Sequence, residues 1–301
     1  MNNKDWFLVI LLGVIWGSSF LFVEILLVYL NPFVIVYLRI TIASILLIIF
    51  TIIKKERIEF SILNLFNLFI LGLFNNVIPF LLITSGQQST TGGLASILNA
   101  NTSIAAIVLS AIFIPKEKLT INRIIGVIIG IVGVIIAIGY ENLFGLIENN
   151  IGKYLILLAT FSYAFASIWA KLRMNEISPI IMAAGMLTMS SIILTPFALT
   201  FHMNEILTIE FNALIYAILF SIICSFIAYI IFFIVLESAG PGNLSICTII
   251  IPPSAIFLNV LFLQEIITMS ELIGSLIIIF GLIILDGRIL KNNFLNKNNV
   301  R

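Results

Sequence analysis

The chain has 301 residues, 61% of them hydrophobic and only 10% charged, and its formal net charge is +1. A soluble domain carries about 25% charged residues, so lipid is the expected solvent for most of this chain, and so small a net charge gives no footprint for nucleic acid. Cys224 and Cys247 both fall inside apolar segments and give no sign of a disulfide framework.

A helix needs roughly 17–25 mostly apolar residues to cross a bilayer. Ten stretches qualify: 6–30, 32–53, 62–84, 93–114, 119–140, 152–172, 178–200, 211–236, 241–263 and 270–290. The first starts at Trp6 with hardly any basic region before it and lacks a small-residue cleavage site, so it reads as a retained helix rather than a signal peptide. Connections are short, and no water-soluble domain is predicted.

Orientation follows from the basic loops, which stay on the cytoplasmic side. With a cytoplasmic N-terminus, 13 of the 15 Lys and Arg residues lie inside. They are Lys4; Lys54, Lys55 and Arg57; Lys116, Lys118 and Arg123; Lys171 and Arg173; and Arg288, Lys291, Lys297 and Arg301. Only Lys153 falls outside, and Arg39 lies within a span. Both termini are expected in the cytoplasm.

Self-similarity divides the chain in two. Glu117, Thr120, Gly126 and Gly133 recur 148 residues later as Glu265, Thr268, Gly274 and Gly281, and Asn31-Pro32 returns as Ser178-Pro179 at a shift of 147. Five helices per half is an odd number, so the halves insert with opposite orientation. The expected fold is an all-α polytopic membrane protein of ten transmembrane helices in two inverted repeats, residues 1–147 and 148–290, followed by a cytoplasmic tail at 291–301. Inverted repeats place a solute site near the midplane, between the halves.

Polar residues cluster at that depth. Ser18 and Ser19 lie near the middle of the first span, Asn75 and Asn76 of the third, and Thr102 and Ser103 of the fourth. Ser162 and Tyr163, Cys224 and Ser225, and Pro252-Pro253 follow in spans six, eight and nine. Helical spacing puts Asn99, Thr102 and Ser103 on one face, Ser245, Thr248 and Asn259 on another, and Ser225 one turn before Tyr229. Trp16 and Trp169 are candidate aromatic walls. The competing reading is that small hydroxyls merely hold helices together, at about 0.6 kcal/mol each. Pro79, Pro252 and Pro253 are candidate kinks. Gly126 and Gly130 form a GxxxG pattern for helix packing or for a homodimer, the alternative being a monomer.

Two charges lie deep within the spans, away from their ends. Glu24 is about 9 Å and Arg39 about 5 Å from the midplane, both toward the outside. The tight turn at Asn31-Pro32 makes their helices neighbours, so one expectation is a Glu24–Arg39 ion pair. The other is that one of them faces the cavity, to bind an ionic solute or to carry a proton, with Glu24 as the group able to titrate.

Several chemistries lack their residues. There is no G-x-x-x-x-G-K-[ST] loop, His202 is the lone histidine and falls in an outer loop, and no span carries paired aspartates. No enzyme activity, cofactor or metal site is expected.

The sequence resembles the drug/metabolite transporter superfamily, in particular its EamA-type members. The resemblance is carried by Trp16-Gly17-Ser18-Ser19-Phe20, by Leu38-Arg39, by the acidic residue before a glycine-bearing helix at Glu117 to Gly133 and again at Glu265 to Gly281, and by Pro252. It implies a cavity lined by helices 1, 3, 4, 6, 8 and 9, and export of small metabolites, such as amino acids, or of drugs. Many such relatives carry a basic residue at the end of the first helix, where this chain has Glu24; the counterpart in the second half is Lys171. The leading expectation is a secondary transporter in the cytoplasmic membrane, moving a small molecule by alternating access and driven by protons or by exchange. The rivals are a channel-like facilitator and an intramembrane lipid-modifying enzyme.

Overall fold

The computed structural model describes residues 2–56, 61–114, 120–139, 151–174, 176–244 and 246–286, and their regular structure is helical throughout. Glu117 and Ser245 lie outside the described residues. Among the described residues, eight helices are long and apolar enough to cross a membrane: α1 (Asn3–Leu27), α2 (Pro32–Ile53), α3 (Ile62–Gly86), α4 (Gly92–Phe113), α5 (Ile121–Ile138), α6 (Ile151–Arg173), α7 (Pro179–Phe201) and α8 (Phe211–Ala239). Two shorter apolar helices follow, α9 (Cys247–Leu263) and α10 (Met269–Asp286).

Local chemistry sets the helix ends. Asn2 and Asp5 form a capping box in which the Asp5 N–H donates to Asn2 Oδ1 at 2.8 Å, so α1 starts at Asn3 rather than Trp6. Asn31 caps α2 by accepting from the Val34 N–H, with Pro32 in the first turn, where a missing donor costs nothing. Gly240, at φ +79°, ends α8 in a conformation few other residues adopt. The chain then turns through Pro241–Leu244, which leaves α9 shorter than the expected 241–263.

Three helices are irregular at mid-length. A π turn runs over Leu73–Val77 in α3, where Pro79 has no N–H to offer the Asn75 carbonyl. A second π turn, Ile222–Ile227, occupies the matching part of α8. In α4 the helix breaks between Asn99 and Thr102.

The two halves exchange neighbours as a two-fold relation requires. The α1–α9 contact is matched by α6–α4, α3–α6 by α8–α1, and α3–α7 by α8–α2, while α2 meets α7 and α5 meets α10. Hydroxyls make the exchange specific: Thr41 Oγ1 lies 2.9 Å from Ser191 Oγ, and Ser44 Oγ lies 3.1 Å from Thr188 Oγ1. A shift of 147 converts Thr41 to Thr188 and Ser44 to Ser191, so these are one contact made twice.

The α5–α10 seam repeats the pattern with glycines. A Cβ on Gly126 would lie 2.9 Å from the Gly281 carbonyl oxygen, and one on Gly281 would lie 3.0 Å from that of Gly126. The Gly126–Gly130 face is therefore occupied within the chain, which matches helix packing, the first of its two expected uses. Ile124, Ile128, Ile131 and Ile135 on α5, with Leu272, Leu276 and Phe280 on α10, remain exposed as apolar surface suited to lipid.

Candidate functional site

The irregular helices converge on one cavity of about 410 Å³. Its walls come from α1, α2, α3, α4, α6, α7, α8 and α9, with nothing from α5 or α10. Trp16, Ser19, Asn75 and Asn99 line it, as do Thr102, Ser103, Tyr163, Tyr229 and Thr248. Arg39 of α2 and Pro179, Met182 and Met186 of α7 extend the lining beyond the six expected helices. The walls are otherwise aromatic and aliphatic, including Phe20, Phe80, Phe232 and Phe233.

The π turn of α3 explains how adjacent amides are both accommodated. Asn75 faces the cavity, whereas Asn76 is fully buried and donates to Ser190 Oγ at 3.2 Å. Tyr229 Oη donates to Asn76 Oδ1 at 3.5 Å. Loosened backbone carbonyls find donors in neighbouring helices: Ser162 Oγ bonds to the Phe74 carbonyl at 2.7 Å and Ser190 Oγ to that of Gly72 at 3.0 Å.

Some expected solute contacts serve other purposes. Ser18 donates to the Ile15 carbonyl at 2.8 Å and packs 3.4 Å from Cys224 Sγ, behind that lining residue and not itself in the lining. Trp169 packs edge-on against Phe66 and tilted against Phe165, with Arg173 over its ring. Ser225 is buried against Arg39. Cys224, expected at this depth, lines the cavity, and so do Gln87 and Thr84, which sequence reasoning did not select; the amide pair Gln87-Gln88 at a span's end was the available signal.

The expected Glu24–Arg39 ion pair does not form. Arg39 Nε donates to Ser225 Oγ at 3.0 Å, and its guanidinium lies 3.9 Å from the Phe80 ring centroid and 4.5 Å from that of Phe220. Glu24 instead accepts from Gln87 Nε2 at 3.2 Å, while the same amide donates to the Phe20 carbonyl at 3.0 Å. Helices joined by a tight turn need not point their charges at each other.

Glu24 belongs to a cluster at the N-terminus of α4. Beside it, Glu265 accepts from the Gly93 N–H at 3.2 Å through both oxygens. Helix N-termini favour carboxylates. The glycines permit the approach, since a Cβ on Gly93 would lie 2.5 Å from Glu265 Oε1. Burial raises the Glu265 carboxyl above its ordinary value, against the opposing hydrogen bonds from Thr91 and Gly93. A second cluster ties the α1–α2 turn to the segment before α8. The Asn31 N–H donates to Glu205 Oε1 at 2.8 Å, and His202 stacks on Phe33 at 4.6 Å.

Two stretches, residues 4–139 and 150–285, match the EamA-like transporter family. The chain belongs to that family. An uncharacterized transporter of Archaeoglobus fulgidus is 26% identical over 274 residues, which span 88% of this chain and 92% of that protein. The uncharacterized inner membrane transporter YedA of Escherichia coli is 27% identical over 180 residues, 59% of this chain and 56% of its own. A solved crystal structure superposes with a TM-score of 0.69 at 15% identity, covering 98% of this chain and 99% of the other, and so shares the fold. This EamA-like chain is thus a multi-pass membrane transporter of two-repeat architecture.

Proposed function

We propose that this EamA-like protein is a secondary transporter that exports a small amphipathic solute across the cytoplasmic membrane by alternating access. One observation carries the reading: a polar-spotted cavity on which the irregular helices converge is walled by both halves, and the α5 and α10 helices that take no part in it are locked to each other. In this reading ten helices cross the membrane, the halves are inverted, and both termini are cytoplasmic. The name of the Escherichia coli relative supports the inner membrane as the location.

The π turns at Leu73–Val77 and Ile222–Ile227 are the natural places for α3 and α8 to flex, because π segments interrupt the regular ladder next to the cavity. The solute contacts Ser19, Asn75, Thr102, Tyr163, Tyr229 and Thr248. The Glu24, Gln87 and Glu265 cluster closes one mouth, and Glu24 is the group that couples closure to protons.

Counterflow tests this. Proteoliposomes loaded with a panel of unlabelled metabolites are diluted into trace labelled solute. Transient accumulation above equilibrium supports a carrier. Entry that never overshoots points to the channel-like alternative, and no entry of any solute overturns the transport reading.

A further inference from the structure

We infer that the solute is a net organic anion, one carboxylate on an apolar body, rather than a zwitterion or a cation. This rests on the transporter reading of the cavity and adds the charge class of its cargo. Among the described residues lining the cavity, Arg39 is the only one of a charged type. Its guanidinium stays protonated in proteins, and an isolated charge away from water is costly unless something answers it.

No described residue answers it in full. Nε is held by Ser225, and the rings of Phe80 and Phe220 cover the guanidinium, which spreads its charge without neutralising it. Its titratable neighbours are Tyr163, Tyr229 and Cys224, whose phenol and thiol groups carry no negative charge at neutral pH. Glu24 is committed to Gln87. No hydrogen bond or ion pair among the described residues engages the two terminal amino groups, and Arg39 keeps accessible surface while lining the cavity. With Nε pinned and two aromatic rings against the guanidinium, the terminal edge of the fork is left for a carboxylate, which such a fork binds through two parallel bonds.

Symmetry sharpens the point. At a shift of 147 the counterpart of Arg39 is Met186, which also lines the cavity. The packed pair α2 and α7 thus presents one charge and one apolar side chain to the cavity, room for an anionic head beside a hydrophobic body. An ammonium group on the solute would find no lining carboxylate and would meet a like charge at Arg39.

Binding to purified full-length protein in nanodiscs at neutral pH tests this. Hydrocinnamate, indole acetate and naphthoate are each compared with the neutral amide and the corresponding amine, and hydrocinnamate also with phenylalanine. The carboxylates should bind at least about tenfold more tightly than their amides, with amines and phenylalanine weaker still. Arg39→Gln should abolish the preference and Arg39→Lys should retain part of it. Should neither variant fold, the ligand comparison on the unaltered protein still decides. Equal binding of amide and carboxylate, a preference for amine or zwitterion, or no binding by any carboxylate overturns the inference. Counterflow with the same compounds separates the two readings. Movement of amines or phenylalanine but not carboxylates sinks the anion assignment and leaves the transporter standing. Carboxylate binding without counterflow of any compound sinks the transporter reading.

Discussion

Arg39 Nε donates to Ser225 Oγ at 3.0 Å, joining the second helix of the first half to the π turn of the second half's third helix. The bond crosses between the repeats at the cavity wall and fixes the one charge found there. Ser225→Ala removes the anchor and leaves a buried charged donor unanswered. Hydrogen bonds to charged groups contribute about 1.5–3 kcal/mol, so a clear drop in unfolding free energy is expected, with weakened solute uptake, and Ser225→Thr should restore most of both. Denaturation in detergent alongside counterflow measures the two effects.

The α5–α10 seam makes a sharper stability prediction. A Cβ at Gly274 would lie 2.5 Å from the Ala137 backbone nitrogen, where no side chain can give way. Gly274→Ala should therefore destabilise by about 1–3 kcal/mol, as overpacking does, whereas Ile131→Leu on the exposed face should change little. Thermal unfolding of the two variants, compared with the parent, checks this.

Glu265 sets a pH dependence. Burial raises its carboxyl above the ordinary value of 4.5, outweighing hydrogen bonds from Thr91 and Gly93, with Glu271 adding to the rise. The folded state therefore holds its proton to higher pH than the unfolded chain. Its contribution is fully present below 4.5 and is lost as pH rises through the raised value. Melting temperature should fall over that window, and Glu265→Gln should flatten the fall. Melting curves of both proteins across the acidic range give the comparison.

The two charges of the first hairpin separate by function. Because Glu24 bonds to Gln87 and Arg39 to Ser225, reversing both charges creates no native pair. The double variant Glu24→Arg with Arg39→Glu should stay as inactive as either single change. Glu24→Gln should abolish flux driven by an imposed pH gradient while leaving exchange at zero gradient intact. Rescue by the double reversal, or unchanged gradient-driven flux in Glu24→Gln, would contradict these roles.

Much of the scaffold was written in hydropathy and glycine spacing. Spans ended within a few residues of the helices because capping residues such as Asn31 and Ser61 stand where apolar runs begin. The two-fold relation was visible in the glycines of α5 and α10, which are constrained by backbone contact. The site was only partly legible. Depth can be counted along a helix, but azimuth between helices cannot. Adjacent Ser18 and Ser19 share a depth while only Ser19 reaches the cavity, and Glu24 and Arg39 share a hairpin but face different partners. The α7 wall escaped notice because Met182 and Met186 are apolar and look like any core residue.

Access to the cavity from both membrane faces is the most direct test, because it needs no knowledge of the solute. Cys224 and Cys247 are first replaced by serine, and Ser19→Cys or Ser18→Cys is then added. A membrane-impermeant thiol reagent is applied to right-side-out and to inverted vesicles. The prediction is that Ser19→Cys is modified from either face, while Ser18→Cys, packed against position 224, is modified from neither. Modification of Ser19→Cys from one face only, or from neither, would contradict a carrier that opens its central cavity to each side in turn.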